Sequence, residues 1–334
     1  YACGDLVKAG HEVAIQSGAG DKSGFCDADF SKVGVKVVPD AAALFDFAEL
    51  VVKVKEPIAG DLSHLQSHHR LFCYLHLAAE PALTQSLKDI GLTAVAFETV
   101  EESGGQLPLL APMSIIAGRI AVQVGTHLLH QPQGGRGVLL GGLGGAERGH
   151  IVVLGAGAAG GHAASLAAAG GARVTVFDKR TDRLEAMMAQ ADNISALYPY
   201  SEAVAEAVSE ADLVIGAVLV TGARAPHVVT REMVSEMAPG SIMIDISVDQ
   251  GGCFETTKPT TYENPTYVVD GVMHFAVTNM PGAVPRTSSQ ALSAAILPYV
   301  MKMAGSNWRD DPALVRGVNV EQGTVVHPAL QEVA

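Results

Sequence analysis

The sequence predicts an α/β protein made of two Rossmann-like, doubly wound parallel-sheet domains with a cleft between them. Three observations point there. Strand-like and helix-like runs alternate twice along the chain, a G-x-G-x-x-G turn opens the second rhythm, and 334 residues are long for one hydrophobic core. In the first rhythm HEVAIQ, VKVVP, LVVKVKEP, RLFCYLHLA and LTAVAFETV read as short strands, with AAALFDFA and EPALTQSLKDIG as helices between them. The opening YACGDLVKAG reads as a helix end with Gly10 as its C-cap. An α/β domain ordinarily starts with a strand, so the expectation is that the beginning of this domain lies before Tyr1.

Residues 112–131 read as a longer amphipathic helix with Pro112 near its start, the expected connector between domains. GGRGVLLGGLGGAERG is too rich in glycine for regular structure. The second rhythm runs from HIVVLGAGAAGG through ADLVIGAVLV and GSIMIDISVDQGG to YVVDGVMHFAVTNMPG, read as strands buried on both faces and separated by helices. After Pro285 the pattern returns to helix. The predicted division is a discontinuous substrate domain, 1–111 plus 285–334, and an inserted dinucleotide-binding domain, 112–284.

Composition narrows the function classes. The apolar fraction is 48% and the charged fraction 17%, which suits a well-buried fold. A net charge of -13 without a run of Lys and Arg makes nucleic acid and anionic membranes poor partners. No apolar run is long enough for a membrane span and no secretory signal is visible, so a cytoplasmic location is expected. Cys3, Cys26, Cys73 and Cys253 are scattered without CxxC spacing, and read as buried thiols rather than a disulfide frame or zinc site.

IVVLGAGAAGG places Gly155, Gly157 and Gly160 after four apolar strand residues and at the start of an Ala-rich helix, and VTVFD delivers Asp178 about twenty residues on. Gly155 suits a tight turn, Gly157 a close approach of pyrophosphate, and Gly160 close packing of helix on strand. The helix N-terminus offers N–H groups to the phosphates. A carboxylate at Asp178 would accept from the adenosine ribose and repel a 2′-phosphate, favouring NAD over NADP, although Lys179 and Arg180 lie beside it. Val218 and Leu219, in GAVLV, and Asn279 and Met280, in TNMPG, are the candidates for the nicotinamide half; each could equally be a plain strand end.

Three polar residues interrupt apolar strand ends: Lys55 before Pro57, His76 in YLHLAA and Asp249 in VDQGG. A dehydrogenase acting on an amino or hydroxy acid needs a cation for the carboxylate, an acid/base group, and a carboxylate to tune it. Lys53 competes with Lys55 from the same expected sheet face, Asp245 competes with Asp249, and His76 competes with a satisfied core histidine. His68 and His69 read as a solvated turn. The chemistry calls for no metal.

VVKVKEP, YLHLAAE, LPLLAPMSIIAGR, QGGRGVLLGG, VVLGAGAAGG, ADLVIGAVLV, VDQGGCFETT and NMPGAVPRTSSQAL together resemble the alanine dehydrogenase family, in the family's order across nearly the whole chain. The resemblance implies NAD-dependent, reversible conversion of L-alanine to pyruvate and ammonia. It implies that Lys55 binds the substrate carboxylate, that His76 is the general acid/base and that Asp249 assists proton transfer near the nicotinamide. Met113 would line the substrate side and Ser114 the cofactor side of the cleft. It also implies a homohexamer. The family's substrate-holding arginine has no counterpart in this sequence, which starts after that point. Two related enzymes compete: the NAD-binding portion of a proton-pumping transhydrogenase and a saccharopine-type dehydrogenase. An inactive NAD-binding protein is the alternative from outside catalysis.

Overall fold

The computed structural model describes residues 1–218 and 225–331. The chain forms two compact units. One comprises Tyr1–Met113 and the chain from Val284 onward; the other comprises the described residues between Ser114 and Ala283.

The first stretch carries helices α1 (Ala2–Lys8), α2 (Asp27–Ser31), α3 (Ala41–Phe47), α4 (Ala59–Leu62) and α5 (Pro81–Ile90). Its strands are β1 (Ala14–Gln16), β2 (Lys36–Val38), β3 (Leu50–Val52), β4 (Arg70–Cys73) and β5 (Thr93–Ala96). Helix α1 stops at Lys8, and Gly10 adopts a left-handed φ of 93° beyond its cap. β1 and β2 pair only with each other, in parallel, and do not join the main sheet. β3, β4 and β5 lie side by side in parallel, so their carboxyl ends share one edge of the sheet. Leu71, Cys73, Ala94 and Ala96 pack one face of that sheet with Leu83 and Leu87 of α5, while Phe72, Val95 and Phe97 are buried on the other. Burial on both faces is why these strands read as nearly continuous apolar runs.

The second unit begins in helix α6 (Ala111–Leu128) and continues through the glycine-rich segment, which carries only an isolated bridge from Leu143 to Ala146 and the short turn Gln131–Gln133. Its elements are β6 (His150–Leu154), α7 (Ala158–Ala169), β7 (Arg173–Phe177), α8 (Thr181–Met188), β8 (Ile194–Leu197), α9 (Ser201–Ser209), β9 (Leu213–Gly216), α10 (Arg231–Ser235), β10 (Ile242–Asp245), β11 (Thr266–Val269) and β12 (Val272–Phe275). Among the described residues these strands form one seven-stranded sheet in the order β11-β12-β10-β9-β6-β7-β8. Strand order reverses beside β6, the position where doubly wound sheets open a crevice for ligands. Gly118 of α6 packs so tightly on α7 that a Cβ there would collide with the Ala159 carbonyl.

YVVDGVMHF departs from the expected both-sides-buried parallel strand. β11 and β12 form an antiparallel hairpin closed by Asp270 and Gly271, whose φ values of 50° and 82° match the two left-handed positions of a tight hairpin turn. Val268 is exposed on this edge.

The chain returns to the first unit with α11 (Pro285–Met303), α12 (Pro312–Arg316), β13 (Val318–Glu321), β14 (Thr324–Val325) and α13 (Pro328–Gln331). β13 and β14 were not expected from the sequence. β13 adds antiparallel beside β5 and β14 closes on it, giving the order β14-β13-β5-β4-β3. Two short apolar runs separated by Gln322 and Gly323 carry too little periodicity to stand out. Among the described residues no helix is long and apolar enough to cross a membrane.

The cysteines and the paired histidines also differ from expectation. Cys73 and Cys253 are buried, but Cys26 is exposed and Cys3 is partly so. His69 is buried rather than solvated. Its Nδ1 accepts from the Gln66 N–H at 2.9 Å, so Nε2 donates to the Phe45 carbonyl at 3.0 Å. His274 is also buried, with Nδ1 donating to the Val272 carbonyl and Nε2 hydrogen-bonded to the Thr256 hydroxyl. The His69 ring uses one nitrogen as acceptor for a backbone N–H, which only the neutral form can do. Burial accordingly lowers both pKa values below the ordinary 6.5. Below that value the unfolded chain takes up protons that the folded chain refuses, so stability falls with falling pH. Thermal melts should therefore show a declining midpoint from about pH 7 to about pH 5, with a shallower decline in a His274→Gln variant.

Candidate functional site

In the first unit the parallel strands deliver polar residues at one edge of the sheet. β3 ends at Val52, so Lys53 and Lys55 lie in the segment beyond it and do not share a sheet face. The two differ in their surroundings. Lys53 is held by Asp61 in a partly buried ion pair and donates to the Glu56 carbonyl at 3.2 Å. Lys55 is 39% exposed, and its ammonium lies 3.7 Å from the Glu56 carboxylate.

His76 follows β4 on the neighbouring strand end. It is half-buried and stacks on Tyr74, with ring centroids 5.9 Å apart and nearly parallel. Tyr74 is itself fixed, its hydroxyl donating to the Leu109 carbonyl at 2.6 Å. Burial and the nearby Glu98 carboxylate push the Tyr74 phenol far up, so it stays neutral. The backbone of His76 has φ 50°, in the left-handed region. A non-glycine residue there costs about 1–3 kcal/mol, and persists where its surroundings over-determine it. The surroundings in this case are a carboxylate. Glu98, just past β5, accepts from the His76 N–H at 2.6 Å and from the Leu75 N–H at 3.1 Å. Sequence reasoning missed Glu98; the only signal was an acidic residue closing the apolar run TAVAF.

Met113 is partly buried against Phe72, Leu292 and their neighbours, in the core of this unit. Ser114, the next residue, belongs to the second unit.

In the second unit the glycine turn has the geometry of a phosphate cradle. Gly155 has φ 98°, and a Cβ there would lie 2.5 Å from the Ala217 carbonyl oxygen. At Gly160 a Cβ would collide with the Gly155 carbonyl oxygen. Gly157 is the N-cap of α7 and has no side chain to satisfy the first turn's N–H groups; the guanidinium of Arg183 is the nearest group, 3.7 Å from where its Cβ would be. Unpaired N–H groups at the start of a twelve-residue helix suit an anion. Asp178 follows β7 and accepts from the Ala156 N–H at 2.7 Å and the Arg180 N–H at 2.8 Å, with Arg183 at 3.4 Å. The side chain of Arg180 turns away to pair with Asp182. These residues fit a dinucleotide: a tight turn whose packing excludes a Cβ at Gly155 and Gly160, a helix N-terminus, and a carboxylate at the adjoining strand end.

The two competing aspartates have separate surroundings. Asp245 ends β10 and is buried, accepting from the N–H groups of Ser247 and Cys253, each at 2.9 Å, and from the Thr257 hydroxyl. Burial raises its pKa, and those three donors oppose the rise. Asp249 lies in the following turn, Val248–Gln250, and is exposed. Of the residues expected at the nicotinamide half, Val218 is partly buried, and its carbonyl accepts from Ser247 Oγ at 2.7 Å. Asn279 is exposed with φ 58°. The Met280 side chain is in the hydrophobic core, leaving its backbone, whose carbonyl accepts from Tyr262. Leu219 lies outside the described residues. Among the described residues no cluster of three or more His, Cys, Asp or Glu is arranged to hold a metal ion.

Asp245→Ala would strand two buried N–H groups and a hydroxyl and is expected to destabilise the fold by about 3 kcal/mol. Asp249→Ala should stay within about 0.5 kcal/mol of the parent. Urea melts of the two variants measure this contrast directly.

Comparison with known proteins agrees with this architecture. The family model described as "Alanine dehydrogenase/PNT, N-terminal domain" matches residues 2–117, and its C-terminal counterpart matches residues 121–328. The alanine dehydrogenase of Halomonas elongata is 49% identical over 98% of this chain and 90% of its own length. That of Mycobacterium tuberculosis is 47% identical over 96% of this chain and 88% of its own. A solved L-alanine dehydrogenase superposes with a TM-score of 0.93 at 48% identity, covering 99% of this chain and 93% of the other. A transhydrogenase from Sinorhizobium meliloti superposes with a TM-score of 0.82 at 26% identity, covering 98% and 93%. The chain belongs to the alanine dehydrogenase/PNT family.

Proposed function

We propose that this chain catalyses the reversible, NAD-dependent oxidative deamination of L-alanine to pyruvate and ammonia. The observation that carries the reading is the near-full-length identity to alanine dehydrogenases in a chain whose neighbouring strand ends carry Lys55 and His76. An exposed ammonium and a half-buried imidazole are the two groups that an amino-acid dehydrogenase needs from its substrate unit.

NAD would be held by the Gly155–Gly160 turn and the start of α7, with Asp178 facing the adenosine ribose; when bound, it supplies the hydride acceptor. Lys55 binds the substrate carboxylate by charge, its Glu56 contact at 3.7 Å being loose enough to yield. His76 takes a proton as the substrate amine is oxidised, and returns one as water adds to the resulting imine and ammonia departs. The Tyr74 ring, stacked nearly parallel on the imidazole, restricts the orientation of its plane. For Asp249, exposed in the turn after β10, the family resemblance supports a part in proton transfer near the nicotinamide. Met113 and Ser114 line the substrate and cofactor sides; Val218, Leu219, Asn279 and Met280 serve the nicotinamide half, Met280 through its backbone. Asp178 disfavours a 2′-phosphate, which makes NAD the preferred dinucleotide. A homohexameric assembly and a cytoplasmic location complete the reading.

Two measurements test it. Purified protein given NAD and L-alanine at alkaline pH should generate the NADH absorbance band, and His76→Ala should reduce the rate by at least about 10²-fold while NADH binding persists. A flat trace from the parent protein with dinucleotide binding intact would favour a non-catalytic or transhydrogenase-like role. Lys55→Ala should raise the KM for alanine far more than it lowers NAD affinity, as measured by NADH fluorescence titration.

A further inference from the structure

The strained backbone at His76 and the carboxylate beneath it carry an inference that rests on the proposed role of His76. We propose that Glu98 is a positioning residue, whose carboxylate clamps the Leu75 and His76 N–H groups and thereby fixes the imidazole for proton transfer.

The geometry is specific. Glu98 Oε1 accepts from both successive N–H groups, at 2.6 Å from His76 and 3.1 Å from Leu75, and Oε2 is 3.3 Å from Leu75. Two consecutive amides converge on one carboxylate only when the chain turns sharply, and the φ of 50° at His76 is that turn. The rest of the strand end is fixed from other directions. Tyr74 N–H donates to the Val54 carbonyl, and Ala79 N–H donates to the His76 carbonyl. Glu98 is itself held on the short turn Phe97–Thr99, between the buried Phe97 and Thr99. The carboxylate thus joins two adjacent strand ends, β4 and β5, at the point where the acid/base group leaves the sheet. The titratable neighbours facing Glu98 are Cys73, Tyr74 and His327. Neither Cys73, fully buried, nor Tyr74, committed to Leu109, competes for the same amides.

A clamp of this kind acts on turnover rather than on binding, because its carboxylate is engaged by the Leu75 and His76 amides and works through the imidazole they carry. Glu98→Ala should lower kcat by about 10²-fold, with the KM for alanine changed by less than about threefold and NADH affinity unchanged. Glu98→Gln keeps an acceptor oxygen and should recover to within about tenfold of the parent. Glu98→Asp, one methylene shorter, should fall between the two. Adding Glu98→Ala to His76→Ala should cost nothing further, since the clamp acts only through the imidazole. If Glu98→Ala does not fold by circular dichroism, Glu98→Asp carries the same double-mutant cycle. Multiplying effects in the cycle, full activity in Glu98→Ala beside an inactive His76→Ala, or a Gln variant as impaired as the Ala variant would each overturn the clamp alone. A parent inert to alanine, or a fully active His76→Ala, would overturn the assignment of His76 and the clamp with it.

Discussion

A parallel sheet covered on both faces has only its strand ends to offer to a ligand, and both units of this protein are organised by that constraint. The hydrogen bonds of the ladder consume the backbone along each strand, and packing consumes the side chains. At the carboxyl ends the chain leaves the ladder and turns, and there polar groups can escape both demands. Lys55, His76 and Glu98 stand two or three residues past the ends of β3, β4 and β5, at one edge of the sheet because those strands run parallel side by side. Gly155 and Asp178 directly follow the paired ends of β6 and β7, and Asp249 stands in the short turn that comes after β10.

The turns that achieve this are not relaxed. His76, Asn279 and Gly155 all adopt positive φ at strand ends. Each is held by hydrogen bonds from elsewhere: Glu98 to the His76 N–H, Asn279 O accepting from Gly282 N–H, and Gly155 N–H donating to the Phe177 carbonyl. Glycine adopts such a φ freely, but at His76, which carries a Cβ, it is strained and marks a position where the fold gives up local comfort to aim a group. The buried Asp245 shows the complementary use of a strand-end carboxylate. It gathers the loop Ser247–Thr257 from within, so that the adjacent Asp249 can remain exposed.

Much of this was legible in the sequence, and the exceptions have physical causes. The glycine turn could be read because its mechanics demand glycine at fixed offsets, and Asp178 because strand length fixes its distance. The α/β alternation was plain because both faces of each strand are apolar. The strand pattern alone did not separate Lys53 from Lys55, because the ion pair that occupies Lys53 is made with Asp61, which lies on a separate helix. His69 read as a surface residue since nothing in the sequence shows that Gln66 and Phe45 enclose it. β13 was lost because its partner is β5, over two hundred residues earlier, and four residues carry too little pattern by themselves. Glu98 was passed over for a simpler reason: its function is to hold backbone, and backbone amides have no signature in a sequence.

The glycine turn also sets where selectivity among dinucleotides can be altered. Gly155 and Gly160 leave no room for even one carbon, so this loop can offer only backbone, which suits what every dinucleotide shares. On the proposed reading, discrimination is left to the end of β7, where Asp178 pairs with Arg183 and Arg180 pairs with Asp182, two cations and two anions close together in the chain. A lineage or an engineer seeking a different cofactor would find the phosphate loop closed to change and a short, charged hairpin of sequence open to it. The fold thereby separates the part of the site that must stay constant from the part that is free to diverge.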